Sequence, residues 1–137
     1  MENRNFINGN FVKSISGMSL EIINPANQNI VGSINEALDA EIELAVNSAK
    51  KAFNKRILQD MDPKLKSKMM RSIANKLREY SQEGGNLLSQ ENGKTINQCI
   101  DEFKGAADTF DFYAGMTDKI ENKLIPAGKD TFNYVVL

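Results

Sequence analysis

Three apolar stripes at helical spacing fill the middle of this 137-residue chain, and extended segments are confined to its two ends. An amphipathic helix is stable only when its apolar face lies against another element. The extended segments here are too short to offer three helices a broad sheet. The last residues, Asn133-Tyr134-Val135-Val136-Leu137, read as the opening of a β-strand with no return segment and no partner strand in view. The expectation is therefore a piece of a larger fold: one partial unit over residues 1–137, with hairpins at 1–34, helices at 39–117 and extended chain at 118–137.

The first 34 residues carry strand and turn signals. Phe6-Ile7 and Phe11-Val12 flank Asn8-Gly9, a pair suited to a type I′ turn because both central residues need positive φ. Residues 19–23 form a second extended run, Asn24-Pro25-Ala26-Asn27 turns the chain, and residues 30–34 run back. In the first helix Asp39 is the expected cap, and Ile42, Ala45, Val46, Ala49 and Phe53 make the stripe. Asp62-Pro63 opens the second, an aspartate cap before proline at the first helical position. Its seam is Leu65, Met69, Ile73, Leu77 and Tyr80, opposite a basic face of Lys64, Lys66, Lys68, Arg71, Lys76 and Arg78 that reads as solvated. Gly84-Gly85 predicts a break, since two glycines cost a helix about 2 kcal/mol relative to alanine. The helix resumes to Asn92, where Gly93 suits a left-handed cap. Thr95-Ile96-Asn97-Gln98 fits a capping box before a third helix running to about Thr117, with Ile96, Ile100, Phe103, Ala107, Phe110 and Tyr113 as its stripe.

The chemistry available is narrow. The chain has no histidine, one cysteine and a net charge of −1. That excludes a histidine-based triad and a conventional zinc cage, and gives no global pull toward nucleic acid or anionic lipid. No apolar run approaches the ~20 residues of a membrane helix. A lone cysteine fits a reduced, cytoplasmic protein. Cys99 sits among Ile96, Ile100 and Phe103 with no base to activate it, so it reads as a core residue. Gly84-Gly85 follows a helix, whereas a dinucleotide loop follows a strand; Leu88 occupies the place of the first glycine in a phosphate loop ending Gly93-Lys94-Thr95. Asp101, Glu102, Asp108 and Asp111 fall at helical spacing on what reads as a solvated face.

Taken in order, several short motifs resemble one family. They are Ile7-Asn8-Gly9-x-Phe11-Val12, Ile23-Asn24-Pro25-Ala26-Asn27, Ala45-Val46-x-x-Ala49-x-x-Ala52-Phe53, Ile73-Ala74 with Leu77, and Glu91-Asn92-Gly93-Lys94. Ala106-Ala107-Asp108, Phe112-Tyr113-Ala114-Gly115, Asp118-Lys119-Ile120 and Ile125-Pro126 complete the series. Together they resemble the N-terminal portion of the NAD(P)-dependent aldehyde dehydrogenase superfamily over about residues 5–136. The resemblance implies an α/β parent fold of which this segment supplies two N-terminal β-hairpins, about three amphipathic helices and a terminal strand, with the Rossmann-like core lying elsewhere. The family reaction converts an aldehyde, NAD(P) and water to a carboxylate and NAD(P)H. Its reactive cysteine, general-base glutamate and coenzyme loop have no counterpart in these residues, and Cys99 does not match that cysteine. The resemblance thus implies no catalytic residue here, no NAD or NADP bound by this chain alone, and no activity on its own. It implies one site, a monovalent cation held by the backbone of Ile22 or Ile23 and the carboxylate of Glu102. Arg56, where a tryptophan is usual, and Gly84, Gly85 and Gln90 depart from the family pattern. Uncovered apolar faces predict self-association; the alternative role is a non-catalytic module that pairs with a full-length aldehyde dehydrogenase. Nucleic acid and membrane are not expected partners.

Overall fold

The computed structural model describes residues 4–135. Two antiparallel hairpins come first: β1 (Asn5–Ile7) with β2 (Asn10–Val12), then β3 (Ser19–Ile23) with β4 (Ile30–Asn35). Asn8 and Gly9 both take positive φ, 53° and 78°, as the Asn-Gly turn requires. That register sets Phe6 opposite Phe11, with ring centroids 5.0 Å apart. At the second turn Asn24 Oδ1 accepts the Ala26 N–H at 2.9 Å, and the backbone N–H groups of Gln28 and Asn24 close the loop onto Asn24 and Asn29 carbonyls.

Four helices follow: α1 (Asp39–Asn54), α2 (Pro63–Glu79), α3 (Ser81–Asn92) and α4 (Ile96–Ala114). The α2 start is as the sequence predicts, with Asp62 Oδ1 accepting from the Lys64 and Leu65 N–H groups at 2.9 and 3.3 Å. At α1 the cap moves back one residue. Leu38 is the N-cap and has no side-chain acceptor, so Glu41 turns back to accept the Leu38 N–H at 3.0 Å. Thr95 does cap α4, yet its hydroxyl bonds the Gln98 side chain at 3.0 Å and not a backbone N–H.

The expected break at Gly84-Gly85 is corrected. Helix α3 runs unbroken through both glycines, and the interruption falls at Tyr80, between α2 and α3. Packing overrides propensity here, because α4 lies against the glycine face. A Cβ on Gly84 would sit 2.2 Å from Phe103 Cζ, and one on Gly85 would sit 2.6 Å from Ile100 Cγ1 and 2.9 Å from the Ile100 backbone nitrogen. The two glycines are the floor on which α4 rests. Helix α4 packs on both α2 and α3, while α1 touches β1. Gly93, at φ 75°, ends α3 as a left-handed cap.

The end of the chain is corrected as well. Strand β6 (Asn133–Val135) has a partner, β5 (Lys123–Ile125), in a third antiparallel hairpin with Leu124 opposite Tyr134. The expected strand residues Val136 and Leu137 lie outside the described residues.

The interior is slight. Among the described residues only Ala74, Cys99, Ala107 and Ala114 are buried apolar side chains, and cysteine is the largest fully buried one. These small residues lie on α2 and α4, with Ala114 the last residue of α4.

Candidate functional site

Cys99 lies on the inner face of α4 and is 0% exposed. The chain has no histidine to act as its base, and the nearby Lys94 ammonium is engaged by Glu102. The geometry makes it a packing residue, in line with the sequence reading.

The carboxylates of α4 are engaged more closely than a solvated face suggests. Arg78 of α2 reaches across to Asp108 and Asp111, both at 2.7 Å, which ties α2 to α4 and holds the guanidinium above its ordinary pKa through those hydrogen bonds. Glu102 pairs with Lys94, whose ammonium is raised for the same reason. Asp101 is 3.5 Å from Lys104. Sequence spacing alone did not show the Arg78 clamp, because its partners lie about thirty positions away.

The three predicted cation-site residues occupy adjoining elements. Ile22 and Ile23 lie on β3, paired with Gly32 and Ile30, and the register shifts between them. The extra residue is Val31 on β4, so the ladder is disrupted opposite Ile22 and Ile23. The turn that follows packs on the α3–α4 junction, since a Cβ on Gly93 would meet Pro25 Cγ at 2.8 Å. Lys94 follows Gly93 and holds Glu102. The Glu102 carboxylate is thus occupied by an ammonium group. Among the described residues no group of three His, Cys, Asp or Glu side chains converges on a metal position.

Glu41 is the polar centre that sequence reasoning missed. It is a charged residue only 3% exposed. Its carboxylate accepts the Leu38 N–H at 3.0 Å, the Ser14 hydroxyl at 3.2 Å and the Ile15 N–H at 3.3 Å. The Leu38 bond is the largest influence lowering its pKa; burial opposes it, and Ser14 and Ile15 add to the lowering. The Asn5 side chain, whose Nδ2 is buried, also favours the charged form of the same carboxylate. Ser14 and Ser16 also donate to the Glu36 carbonyl. This network locks the β2–β3 linker onto the start of α1. Beside it, Ile7, Val12, Ile15 and Leu44 line an open groove of about 370 Å³ between the first hairpin and α1. The signal was Glu at the third position of a helix whose cap cannot accept, a place where the side chain turns back.

The largest feature is apolar. Thirty large apolar side chains among the described residues are exposed. The α1 stripe is wholly uncovered, with Val46 59% and Phe53 69% exposed, and so is Leu65 of the α2 seam at 60%. The chain exposes 10895 Å², whereas a compact 15.3 kDa protein exposes about 7,100 Å² on the scaling of surface with mass. The excess is roughly 3,700 Å², the scale of an obligate interface.

Residues 11–137 match the aldehyde dehydrogenase family. The chain is 33% identical over 130 residues to a putative aldehyde dehydrogenase of Bacillus subtilis, covering 94% of this chain and 26% of that protein. It is 32% identical over 130 residues to an aldehyde dehydrogenase of Davidiella tassiana, again covering 26% of the relative. Among solved structures, an aldehyde dehydrogenase from Bacillus cereus superposes with a TM-score of 0.85 at 31% identity, over 98% of this chain and 28% of that one. Betaine aldehyde dehydrogenase from Staphylococcus aureus, solved with NAD+, gives 0.85 at 25% identity. The fold is therefore an N-terminal segment of the aldehyde dehydrogenase architecture, and these residues span about a quarter of the length of the relatives they match. The chain belongs to the aldehyde dehydrogenase family.

Proposed function

We propose that these 137 residues are the outer frame of an enzyme that oxidises an aldehyde to a carboxylate with NAD(P), and that they carry none of its reactive groups. One observation supports this most directly: the sole soft nucleophile, Cys99, is fully buried, and the chain has no histidine to activate it. An attacking thiol needs access and a way to lose its proton. The frame's work is mechanical. The Arg78 clamp and the glycine floor fix α2, α3 and α4 to one another, and the Glu41 network fixes α1 to the first hairpin.

The purified chain, given NAD+ or NADP+ and a panel of aldehydes, is expected to form no reduced coenzyme and to bind neither nucleotide tightly. Turnover abolished by Cys99→Ser would overturn this reading. The protein is assigned to the cytoplasm on the strength of its single free thiol, and no helix among the described residues is long and apolar enough to cross a membrane.

The register shift opposite Ile22 and Ile23, with Val31 of β4 as the extra residue, favours a second element of this reading. The backbone at Ile22 and Ile23 would contribute to a monovalent-cation site in the assembled enzyme, with Glu102 releasing Lys94 to join it. Two carbonyls and one carboxylate are too few for a cation, so the remaining ligands come from the rest of the enzyme. A thermal shift in potassium over an organic-cation control, lost in Glu102→Gln, is the expected result for that assembly. Equal stability in both salts would remove the site.

A further inference from the structure

We infer that the first two turns of α2 and the corner that follows α4 form an anion-binding trough, and that its ligand is a compact, multiply phosphorylated anion such as a linear polyphosphate. The cations of α2 divide into two groups. Lys76 pairs with Glu79, and Arg78 pairs with Asp108 and Asp111. Lys64, Lys68 and Arg71 are exposed and make no ion pair among the described residues. They stand at i, i+4 and i+7, so they share one face over a rise of about 10.5 Å. Like charges at those spacings repel. The first turn of α2 also carries no acidic residue, although that end of a helix favours one. The helix thus holds three cations together against its own field, an arrangement that a bound anion would stabilise.

These side chains do not stand on a plain convex surface. Lys64, Ser67 and Arg71 face the corner at residues 114–119 across a hollow of about 270 Å³. The same three residues continue, with Lys68, Ser72 and Asn75, into a second hollow of about 430 Å³ along α2. The corner is pinned. Thr117 Oγ1 donates to the Pro63 carbonyl at 3.0 Å, and Lys119 Nζ donates to the Gly115 carbonyl and to Asp118, both at 2.8 Å. Asp118 is the one carboxylate lining either hollow, and Lys119 neutralises it. Asp62 already accepts from the N–H groups of Lys64 and Leu65, so recognition rests on side chains and not on the bare helix end. The lining selects the ligand. Ammonium, guanidinium, hydroxyl and amide groups can each donate to phosphoryl oxygens, and a guanidinium does so through two parallel bonds. No aromatic or large aliphatic side chain lines either hollow. A nucleobase, an acyl chain or the apolar residues of a peptide would find no contact there. A compact anion needs none.

The test is calorimetric titration of the purified chain with tripolyphosphate, paired with thermal melts. One site per chain and a raised melting temperature are expected. Affinity should fall as salt rises from about 0.01 to 0.15 M, where the Debye length shrinks from about 30 to 8 Å. Arg71→Gln should weaken binding about tenfold or more, the loss of one charge-assisted pair. Arg71→Lys should recover only part of it, because lysine keeps the charge and loses the fork. Lys50→Gln, on α1, should leave affinity unchanged. Arg71 has no partner to lose, so its variants should keep the parent's helicity by circular dichroism; if one does not, Lys68→Gln carries the same measurement. Absence of binding at low salt overturns the inference. So does equal weakening by Lys50→Gln and Arg71→Gln, which would mean a diffuse charge effect. Tighter binding of a polyglutamate peptide would make the face a dock for an acidic protein and would overturn it too, as would sulfate binding as tightly as tripolyphosphate, the mark of an adventitious ion only.

Discussion

Gly85→Ala separates two accounts of the paired glycines. If they merely weaken a helix, alanine at either position should stabilise α3 by about 1 kcal/mol, the propensity difference. The structure predicts the opposite for Gly85. An added Cβ meets Ile100 Cγ1 at 2.6 Å, Ile100 N at 2.9 Å and Ile100 Cα at 3.0 Å. Carbon pairs are most favourable at about 3.5–4.0 Å, so α3 and α4 must part by several tenths of an ångström or more. Two of the three clashing atoms are backbone and cannot rotate aside. Overpacking of this kind costs about 1–3 kcal/mol, and the backbone clash puts Gly85 at the upper end, near 3. Subtracting the propensity gain leaves a net loss of about 2 kcal/mol.

Two sister variants calibrate the result. Gly84→Ala meets only the tip of the Phe103 ring, which can swing, so cost and gain should nearly cancel. Gly105→Ala lies on α4 with nothing within 4 Å and should gain the full 1 kcal/mol or so. At about 4 °C per kcal/mol for a chain of this size, the melting temperature should fall by about 8 °C for Gly85→Ala and rise by about 4 °C for Gly105→Ala. Far-ultraviolet circular dichroism at one low protein concentration is the assay, because association would itself move the midpoint. Equal stabilisation by Gly85→Ala and Gly105→Ala would refute the packing of α4 on the glycine face.

Glu41 makes stability depend on pH: its folded pKa lies below the ordinary 4.5, so its contribution is complete above that value and disappears as pH falls through the folded pKa. Melts between pH 7 and pH 3 should show this loss, and Glu41→Gln should flatten the curve over that acid range while lowering stability at neutral pH. The Cys99 thiol should react with a disulfide reagent only as the chain unfolds, and Cys99→Ser should cost about 1–3 kcal/mol, seen in urea titration, from a hydroxyl buried without a partner. Arg78→Ala, which breaks the pairs to Asp108 and Asp111, should lower the melting temperature, and by less in about 1 M salt than in low salt, because salt weakens contact pairs at 2.7 Å without abolishing them.

Local chemistry was readable in the sequence wherever a residue's effect stays within a few positions. Asn8-Gly9, Asp62-Pro63 and Gly93 each dictated a turn, a start and a stop that the backbone adopts. The errors fell where distant residues decide. Gly84-Gly85 broke the helix on propensity, and only α4, about fifteen positions later, reveals why small residues are needed there. Glu41 is held by Ser14 and Ile15 from the linker before β3, a grouping that no local spacing announces. β6 lacked a partner on paper although the chain before it read as extended, because a strand as short as β5 carries no signal of what it pairs with. The candidate cation site was reached through family resemblance; spacing does not show that Lys94 holds Glu102.

The distribution of side-chain sizes explains why the seams were legible but their partner was not. Periodicity reports that a face avoids water; it carries no address for the surface that covers it. In a self-sufficient domain the bulkiest apolar groups fill the centre, since each contributes the most burial. Here the centre holds two helix-crossing alanines, one more at the end of α4, and a cysteine, while phenylalanines at 53, 112 and 132 face outward. Small residues on α2 and α4 bring those two helices close enough for Arg78 to bridge them. The large residues are left for a surface outside the group. Stability of the isolated segment and adhesion to its neighbour are thus assigned to different residues. That division is why lysine at the exposed Val46 or Phe53 should spare the helices, whereas alanine at Gly85, set against Ile100, should loosen them.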